Sequence, residues 1–323
     1  LEQTRDRLAS FATLRTRAEA ARSLVDTDQR KYRWDRDQFR DLARGSRLEI
    51  DASSIRPAMY RPFFRQVAYV NDRLNVEMSR VLAHFPSVVD HNPSLVLVSP
   101  ASTNPFCTLA TSVIPDLVLV GDKGSRFFAR WRFEEPAPDS LLSSPAGGPT
   151  RISNLNPAGV WRFRDALGED ITEDQVFAYV YGVLHSPDLR ETFAVNLKKE
   201  APRVPLVTDR AVFDAFAAAG QELLNLHIGY DDVEPYPLIE EWAPGSNPKA
   251  NPSVLLVGER KMRYPKVTDP ATGKKVADKT RLVYNDHLTL SGIPLEAHDY
   301  MLGTRSGIDW IIDRWYVKTD KAS

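Results

Sequence analysis

Residues 94–133 read SLVLVSPASTNPFCTLATSVIPDLVLVGDKGSRFFARWRF. Two runs in this stretch, SLVLVS (94–99) and DLVLVG (116–121), have the length and apolar content of buried strands, and RFFARWRF (126–133) predicts a third. What joins the first two, PASTNPFCTLATSVIP (100–115), is polar and proline-bearing and holds no helical repeat. A doubly wound parallel sheet needs a helix of about ten to fifteen residues between successive strands. That alternation is missing, so the stretch predicts an α+β fold.

Upstream, IRPAMYRPFFRQVAYVNDRLN (55–75) alternates apolar and polar residues, with turn signals at Asn71-Asp72, and reads as two more strands. Residues 49–133 are thus a mixed or antiparallel β-rich lobe. Before them, Leu8, Phe11, Leu14, Ala18, Ala21 and Val25 recur at helical spacing, and WDRDQFRDLARG (34–45) predicts a second helix ended by Gly45, so residues 1–48 form a helical connector.

Downstream, EEPAPDSLLSSPAGGPT (134–150) carries four prolines and two glycines and marks a linker over 134–160. A helical lobe follows over 161–247. Thr172 and Gln175 form a capping-box start for EDQVFAYVYGVLH, Ser186-Pro187-Asp188 restarts a helix through LRETFAVNLKKE, and Thr208 or Asp209 caps AVFDAFAAAGQELLNLH, which stops at Gly229. In 248–323 the strands SVLLVG (253–258), KMRYPKV (261–267) and TRLVYND (280–286) are expected, with DPATGKK (269–275) as a turn. A final amphipathic helix, RSGIDWIIDRWYVK, presents Ile308, Ile311, Ile312 and Trp315 on its apolar side. The last segment is therefore a β-hairpin sheet closed by a helix.

The 323 residues are 42% apolar and 26% charged, ordinary for a folded protein of about two domains. No run approaches the roughly eighteen apolar residues of a membrane span. A lone cysteine, Cys107, excludes an internal disulfide and a cysteine-based zinc site and suits the cytoplasm. The ends, at Leu1 and VKTDKAS, read as cuts from a longer polypeptide. The net charge of -1 conceals segregation: +3 over 1–50, +3 over 51–133, -2 over 134–160, -9 over 161–247 and +4 over 248–323. Basic faces of this kind act locally on a polyanion, because screening limits the reach of the distant acidic lobe.

Catalytic signatures are faint. GTRSG (303–307) is one residue off a nucleophile elbow and lacks the strand that should precede it. GDKGS (121–125) lacks the spacing and the Lys-Ser/Thr of a phosphate loop and predicts a turn. No histidine pair has metal-ligand spacing, and His185 and His227 fall near predicted helix ends, where a cap or core hydrogen bond is expected. The carboxylates of DDVEPY (231–236) and Glu240-Glu241 read as a solvated acidic face, so no metal site is expected. Cys107 has no base beside it and reads as a small buried hydrophobe. No catalytic residue is assigned. A serine or cysteine hydrolase using Ser306 or Cys107, and a non-catalytic protein-interaction module, stay open as rivals to nucleic-acid binding.

MYRPFFRQVAYVNDRLN (59–75), FAYVYGVLHSPDLRETFAVNLKKEAPRVPLV (177–207) with AGQELLNLHIGY and EPYPL, and the terminal KMRY, RLVYND, GIP and YMLGTRSGIDWIIDRWYVKTDKAS together resemble the C-terminal specificity region of type ISP single-polypeptide restriction–modification enzymes. RFFARWRF departs from the Phe-Pro pair that relatives tend to show near a strand start. The resemblance implies a target-recognition domain for double-stranded DNA. It implies a parent chain with a nuclease, a helicase-like ATPase and an adenine methyltransferase upstream, using S-adenosylmethionine, ATP and Mg.

Such a domain needs cations on phosphates to fix its position and a few side chains at base edges. Candidates for the first are Arg61, Arg65, Lys123, Arg126 and Arg130 from the β-rich lobe, and Lys261, Arg263, Lys266, Lys274 and Lys275 around the DPATGKK tip. Asn104, in the polar loop between two apolar runs, is the candidate base reader. The two basic regions are expected to meet in one cradle, with the acidic helical lobe turned away.

Overall fold

The structure, a computed structural model, describes Phe39 and residues 51–71, 75, 79–86, 91–100, 102–134 and 149–318. The helices expected over 1–24 and 34–45 lie outside these residues except at Phe39, as does most of the proline-rich stretch. Along the chain run β1 (Ile55–Arg61), β2 (Phe64–Tyr69), α1 (Ser79–Leu82), β3 (Ser94–Val98), β4 (Thr108–Thr111), β5 (Ile114–Pro115), β6 (Ser125–Ala129), β7 (Trp131–Glu134) and β8 (Thr150–Ser153). Then come α2 (Pro157–Leu167), α3 (Glu173–His185), α4 (Pro187–Thr192), α5 (Ala194–Leu197), α6 (Arg210–Ile228), β9 (Ile239–Trp242), β10 (Lys266–Thr268), β11 (Lys275–Ala277), β12 (Arg281–Val283), β13 (Leu288–Ser291), β14 (Met301–Leu302), β15 (Arg305–Ser306) and α7 (Gly307–Arg314). Small, mostly antiparallel sheets among helices make this the α+β class expected.

Two compact units interleave in sequence: Leu1–Pro57, Val67–Asp90 and Arg132–Arg151 form one, and Ala58–Gln66, His91–Trp131 and Ile152–Ser323 the other. In the first, buried Arg56 donates to the Phe85 carbonyl (2.6 Å), and Phe85 is itself fully buried. The second holds every candidate site residue.

At the centre of the second unit, β3 pairs antiparallel with β4 and β6, Val96 opposite both Leu109 and Phe127. Its side chains alternate between two cores. Val96 and Val98 pack with Met59, Leu109, Leu119 and Leu302, whereas Leu95 and Leu97 pack with Ala110, Phe177, Leu184 and Leu224 of the helical layer. A strand apolar at every position is what burial on both faces demands.

The helical layer follows its caps. The Thr172 side chain accepts from the Gln175 amide (3.1 Å) and the Gln175 side chain takes the Thr172 amide (2.9 Å), a capping box that stabilises by about 1 kcal/mol. Asp209 caps α6, which ends at Gly229. These two helices meet on glycine: a Cβ on Gly182 would overlap the Phe216 carbonyl oxygen, and one on Gly220 the Ala178 carbonyl oxygen.

Two predicted strands take other forms. In DLVLVG, Asp116 Oδ1 accepts from the Val118 amide (2.9 Å) and the Asp116 carbonyl from Leu119 (3.1 Å), so the run folds as a turn with Leu119 and Val120 buried. In SVLLVG, the Asn251 side chain captures the amide and hydroxyl of Ser253 and starts a 3-10 helix over Pro252–Leu255. Other boundaries shift. RFFARWRF divides between β6 and β7, only Lys266–Thr268 of the KMRYPKV region pairs as β10, and α7 begins two residues after Arg305. The first reversal comes at Pro62-Phe63, with Phe63 at φ 56, before the Asn71-Asp72 signal. Residues Thr150–Ser153 and Pro157–Leu167, inside or overlapping the expected linker, form β8 and α2.

Candidate nucleic-acid interface

The basic C-terminal segment builds a two-stranded ribbon. β10 and β11 pair antiparallel with Lys266 opposite Ala277, Val267 opposite Val276 and Thr268 opposite Lys275. The turn between them is nucleated by Asp269, whose carboxylate takes the Ala271 amide (2.9 Å) and the Thr272 hydroxyl (2.6 Å). Gly273 supplies the left-handed residue at φ 67. Directly paired residues share a face. Lys266 and Lys275 therefore stand together on one side of the ribbon, and the Val267–Val276 pair stands on the other. Every residue of both strands is exposed, including these valines at 41% and 42%. Lys275 Nζ donates to Thr268 Oγ1 (2.8 Å). Arg263, Lys266 and Lys274 have no carboxylate partner among the described residues, and Arg263 lies at the stem, its backbone bridged to Val283.

The stem of the ribbon is fixed to α7. Tyr264 donates its hydroxyl to Asp309 Oδ1 (2.9 Å), and Lys261 Nζ donates to Asp313 Oδ1 (2.7 Å) while lying 4.5 Å from the Tyr316 ring centre. The same helix holds the β14–β15 turn: Trp310 Nε1 donates to the Leu302 carbonyl (3.1 Å), and Arg305 Nη1 to Asp313 Oδ2 (2.6 Å).

That turn touches Asn104. A Cβ on Gly303, which sits at φ 70, would lie 3.7 Å from both Cβ and Nδ2 of Asn104. The Asn104 loop is shaped by Asp122 of the GDKGS turn. Its carboxylate accepts from the hydroxyls of Ser102 and Thr103 and from the Thr103 amide, and Ser102 Oγ in turn accepts the Asn104 amide (3.1 Å). Those hydroxyl donors hold the Asp122 carboxyl down at about 2. Lys123, next in sequence, is exposed. Asn104 is thus joined through the Gly303 turn and α7 to the ribbon stem.

The remaining candidates are placed differently. Arg126 is exposed but stands opposite Leu97, on the sheet face shared with the helical layer, away from the core that contains Leu302. Arg61 stacks 4.1 Å from the Tyr60 ring centre and donates to Asp116 Oδ1 (2.8 Å) and the Tyr60 carbonyl (2.6 Å). Arg65 binds Asp231 (3.0 Å) and the Ile228 carbonyl at the end of α6, where a cation complements the helix dipole. Arg130 is 4% exposed. It donates to Asp174 (2.7 Å), Ser153 (2.9 Å) and Glu173 (2.8 Å) and stacks on Trp131 at 3.9 Å. Its expected place on a DNA-facing surface is corrected: the buried guanidinium, committed to the first turn of α3, ties the sheet to that helix. Sequence reasoning passed over Arg305 and Arg314, both of which pair with Asp313. Their nearness in sequence to Asp313, with Arg305 just before the helix and Arg314 at its end, was the available signal.

Neither proposed nucleophile is activated. Cys107 is 1% exposed and burial pushes its thiol up to about 11, away from the thiolate. Ser306 is equally buried and caps α7, accepting the Asp309 amide (3.1 Å). Among the described residues no three His, Cys, Asp or Glu side chains gather as a metal site. His227 Nδ1 is hydrogen-bonded to the Tyr181 hydroxyl (2.6 Å), and His185 Nδ1 donates to the Tyr181 carbonyl (3.0 Å), the core roles expected of them. No helix among the described residues is long and apolar enough to cross a membrane.

The family model described as the type ISP C-terminal specificity domain matches residues 1–323. No curated protein matches the chain. Among solved structures, a DrdV–DNA complex determined by cryo-electron microscopy is 29% identical with a TM-score of 0.70, over 91% of this chain and 27% of that one. A nuclease-deletion mutant of the type ISP restriction-modification enzyme LlaGI, in complex with a DNA substrate mimic, is 25% identical with a TM-score of 0.72, over 99% and 22%. The ATP-dependent type ISP enzyme LlaBIII bound to DNA shares the fold at 22% identity and a TM-score of 0.71, over 90% and 17%. This chain therefore spans about a quarter or less of the length of these neighbours.

Proposed function

Since the chain belongs to the type ISP C-terminal specificity domains, we propose that it recognises double-stranded DNA and selects the sequence on which a longer restriction–modification polypeptide acts. The observation that carries this reading is its likeness, at 25% and 29% identity, to chains solved as DNA complexes. On this reading the piece is not itself catalytic. A nuclease, a helicase-like ATPase and an adenine methyltransferase lie upstream in the same polypeptide and bind Mg, ATP and S-adenosylmethionine there. The enzyme works in the cytoplasm, and the acidic helical lobe faces those upstream domains.

The geometry supports the reading in two ways. A two-stranded ribbon fits the major groove, and one exposed on both faces has no core of its own to complete. Asn104, held by the Asp122 network against the Gly303 turn, presents an amide suited to an adenine edge. Lys123, Arg263, Lys266, Lys274 and Lys275 supply phosphate contacts around it, whereas Arg61, Arg65 and Arg130 act as braces.

The test is binding of the protein to duplex DNA by fluorescence anisotropy across a salt series. The unaltered protein binds with an affinity that falls linearly in log salt. Reversing Lys274 and Lys275 to Glu weakens binding by about tenfold or more at low salt, and the gap narrows as salt rises. Equal affinity of the two proteins at low salt would take the ribbon out of the interface. No binding of any duplex by the unaltered protein would remove the whole reading.

A further inference from the structure

We infer that Lys261, Arg305 and Arg314, gathered on the single carboxylate of Asp313, form a clamp for DNA backbone phosphate beside Asn104. This rests on the DNA-recognition reading and adds to it a site with named residues. The three cations lie 2.7, 2.6 and 3.2 Å from Asp313 oxygens, so one negative charge serves three positive ones. Asp309, the other carboxylate of α7, is occupied by the Tyr264 hydroxyl and the Ser306 cap. A structural ion pair needs one cation. Counting Asp309 with Asp313, three cations against two carboxylates still leave an excess of about +1, and such like charges repel unless an anion joins them.

The cluster is held in place before any ligand arrives. Arg305 and Arg314 lie 5.1 and 5.7 Å from the Trp310 ring centre, and Lys261 lies 4.5 Å from that of Tyr316. The side chains of Lys261, Arg305 and Arg314 stay 43%, 44% and 30% exposed. No hydrogen-bond partner among the described residues takes the other guanidinium N–H groups of Arg305, and Arg314 Nε lies 3.2 Å from Asp313 without making a hydrogen bond. A planar guanidinium fork matches the two non-bridging oxygens of a phosphodiester. Arg305 also follows the Gly303 turn by two residues, and that turn lies against Asn104. A phosphate seated on the clamp therefore fixes the register in which the Asn104 amide meets a base.

The same anisotropy titration reads this out on Arg305→Gln and Arg314→Gln. Each is expected to weaken binding evenly across duplexes of different sequence and to reduce the log K against log salt slope by about 0.9. Arg305→Lys, which keeps the charge, retains the slope. If Arg305→Gln lowers the melting temperature, Lys261→Gln carries the same expectation. An unchanged slope in folded variants of a protein that does bind DNA overturns the clamp and leaves the recognition reading standing. Failure of the unaltered protein to bind overturns both.

Discussion

Arg126 and Arg130 stand four residues apart in one apolar run and have opposite fates. Arg126 projects from the sheet into solvent, whereas Arg130 lies beneath the first turn of α3 with three side-chain partners. Arg130→Gln should therefore act on stability. It removes the shared cation from Glu173 and Asp174, and because both carboxylates keep access to water the cost should be about 1–3 kcal/mol, below that of breaking a fully buried pair. Urea unfolding should shift its midpoint accordingly, with the salt slope of DNA binding untouched. A changed slope with unchanged stability would return Arg130 to the interface. Composition and charge counting see two equal arginines here. Only the position of α3 separates them, and that is set by contacts remote in sequence. Arg305 is a local case, since its partner Asp313 is only eight residues on.

At the scale of elements, the legible features were those encoded locally. Capping residues at Thr172 and at Thr208 or Asp209 marked both long helices, Asp209 proving to be the second cap, and the doubly buried β3 followed from its unbroken apolar run. DLVLVG and SVLLVG misled because hydropathy fixes neither conformation nor burial, Leu117, Leu255 and Leu256 being exposed; a polar residue at or just before each run, Asp116 or Asn251, bends the backbone by taking its amides. The glycine contact between α3 and α6 was also hidden, since Gly182 and Gly220 sit mid-helix where glycine costs about 1 kcal/mol relative to alanine. Their placement explains the tolerance: any side chain would strike the facing backbone. Gly220→Ala, which improves intrinsic helix propensity, should nonetheless destabilise by about 1–3 kcal/mol by forcing the helices apart. A melting temperature equal to or above that of the unaltered protein would contradict this packing.

Across the whole molecule, stability should depend on pH through its buried histidines. Burial holds His185 down at about 3 and His227 at about 4, against an ordinary value of 6.5. Between those values the unfolded chain binds protons that the folded chain refuses. The contribution is complete above pH 6.5 and is lost as pH falls through the window toward 4 and then 3. Carboxylates held low by hydrogen bonds, such as Asp122 at about 2, act in a separate, more acidic range. Urea midpoints measured from pH 7.5 to 4.5 should therefore decline below about 6.5, and in the folded protein the ring of His185 should not titrate over that range while that of His227 begins to protonate only at its acid end. Flat midpoints, or ring titration near 6.5, would place those rings in water.

The Asp269–Lys274 turn and the strands beside it bury no side chain of their own, and the cores form without them. New residues can therefore be written into this finger without unfolding the scaffold that carries it. On the DNA-recognition reading, substitutions in this finger can alter which sequences are bound while the stem at Tyr264 and Lys261 stays in place. On that reading the choice of target is limited by the chemistry of the finger and not by the stability of its host.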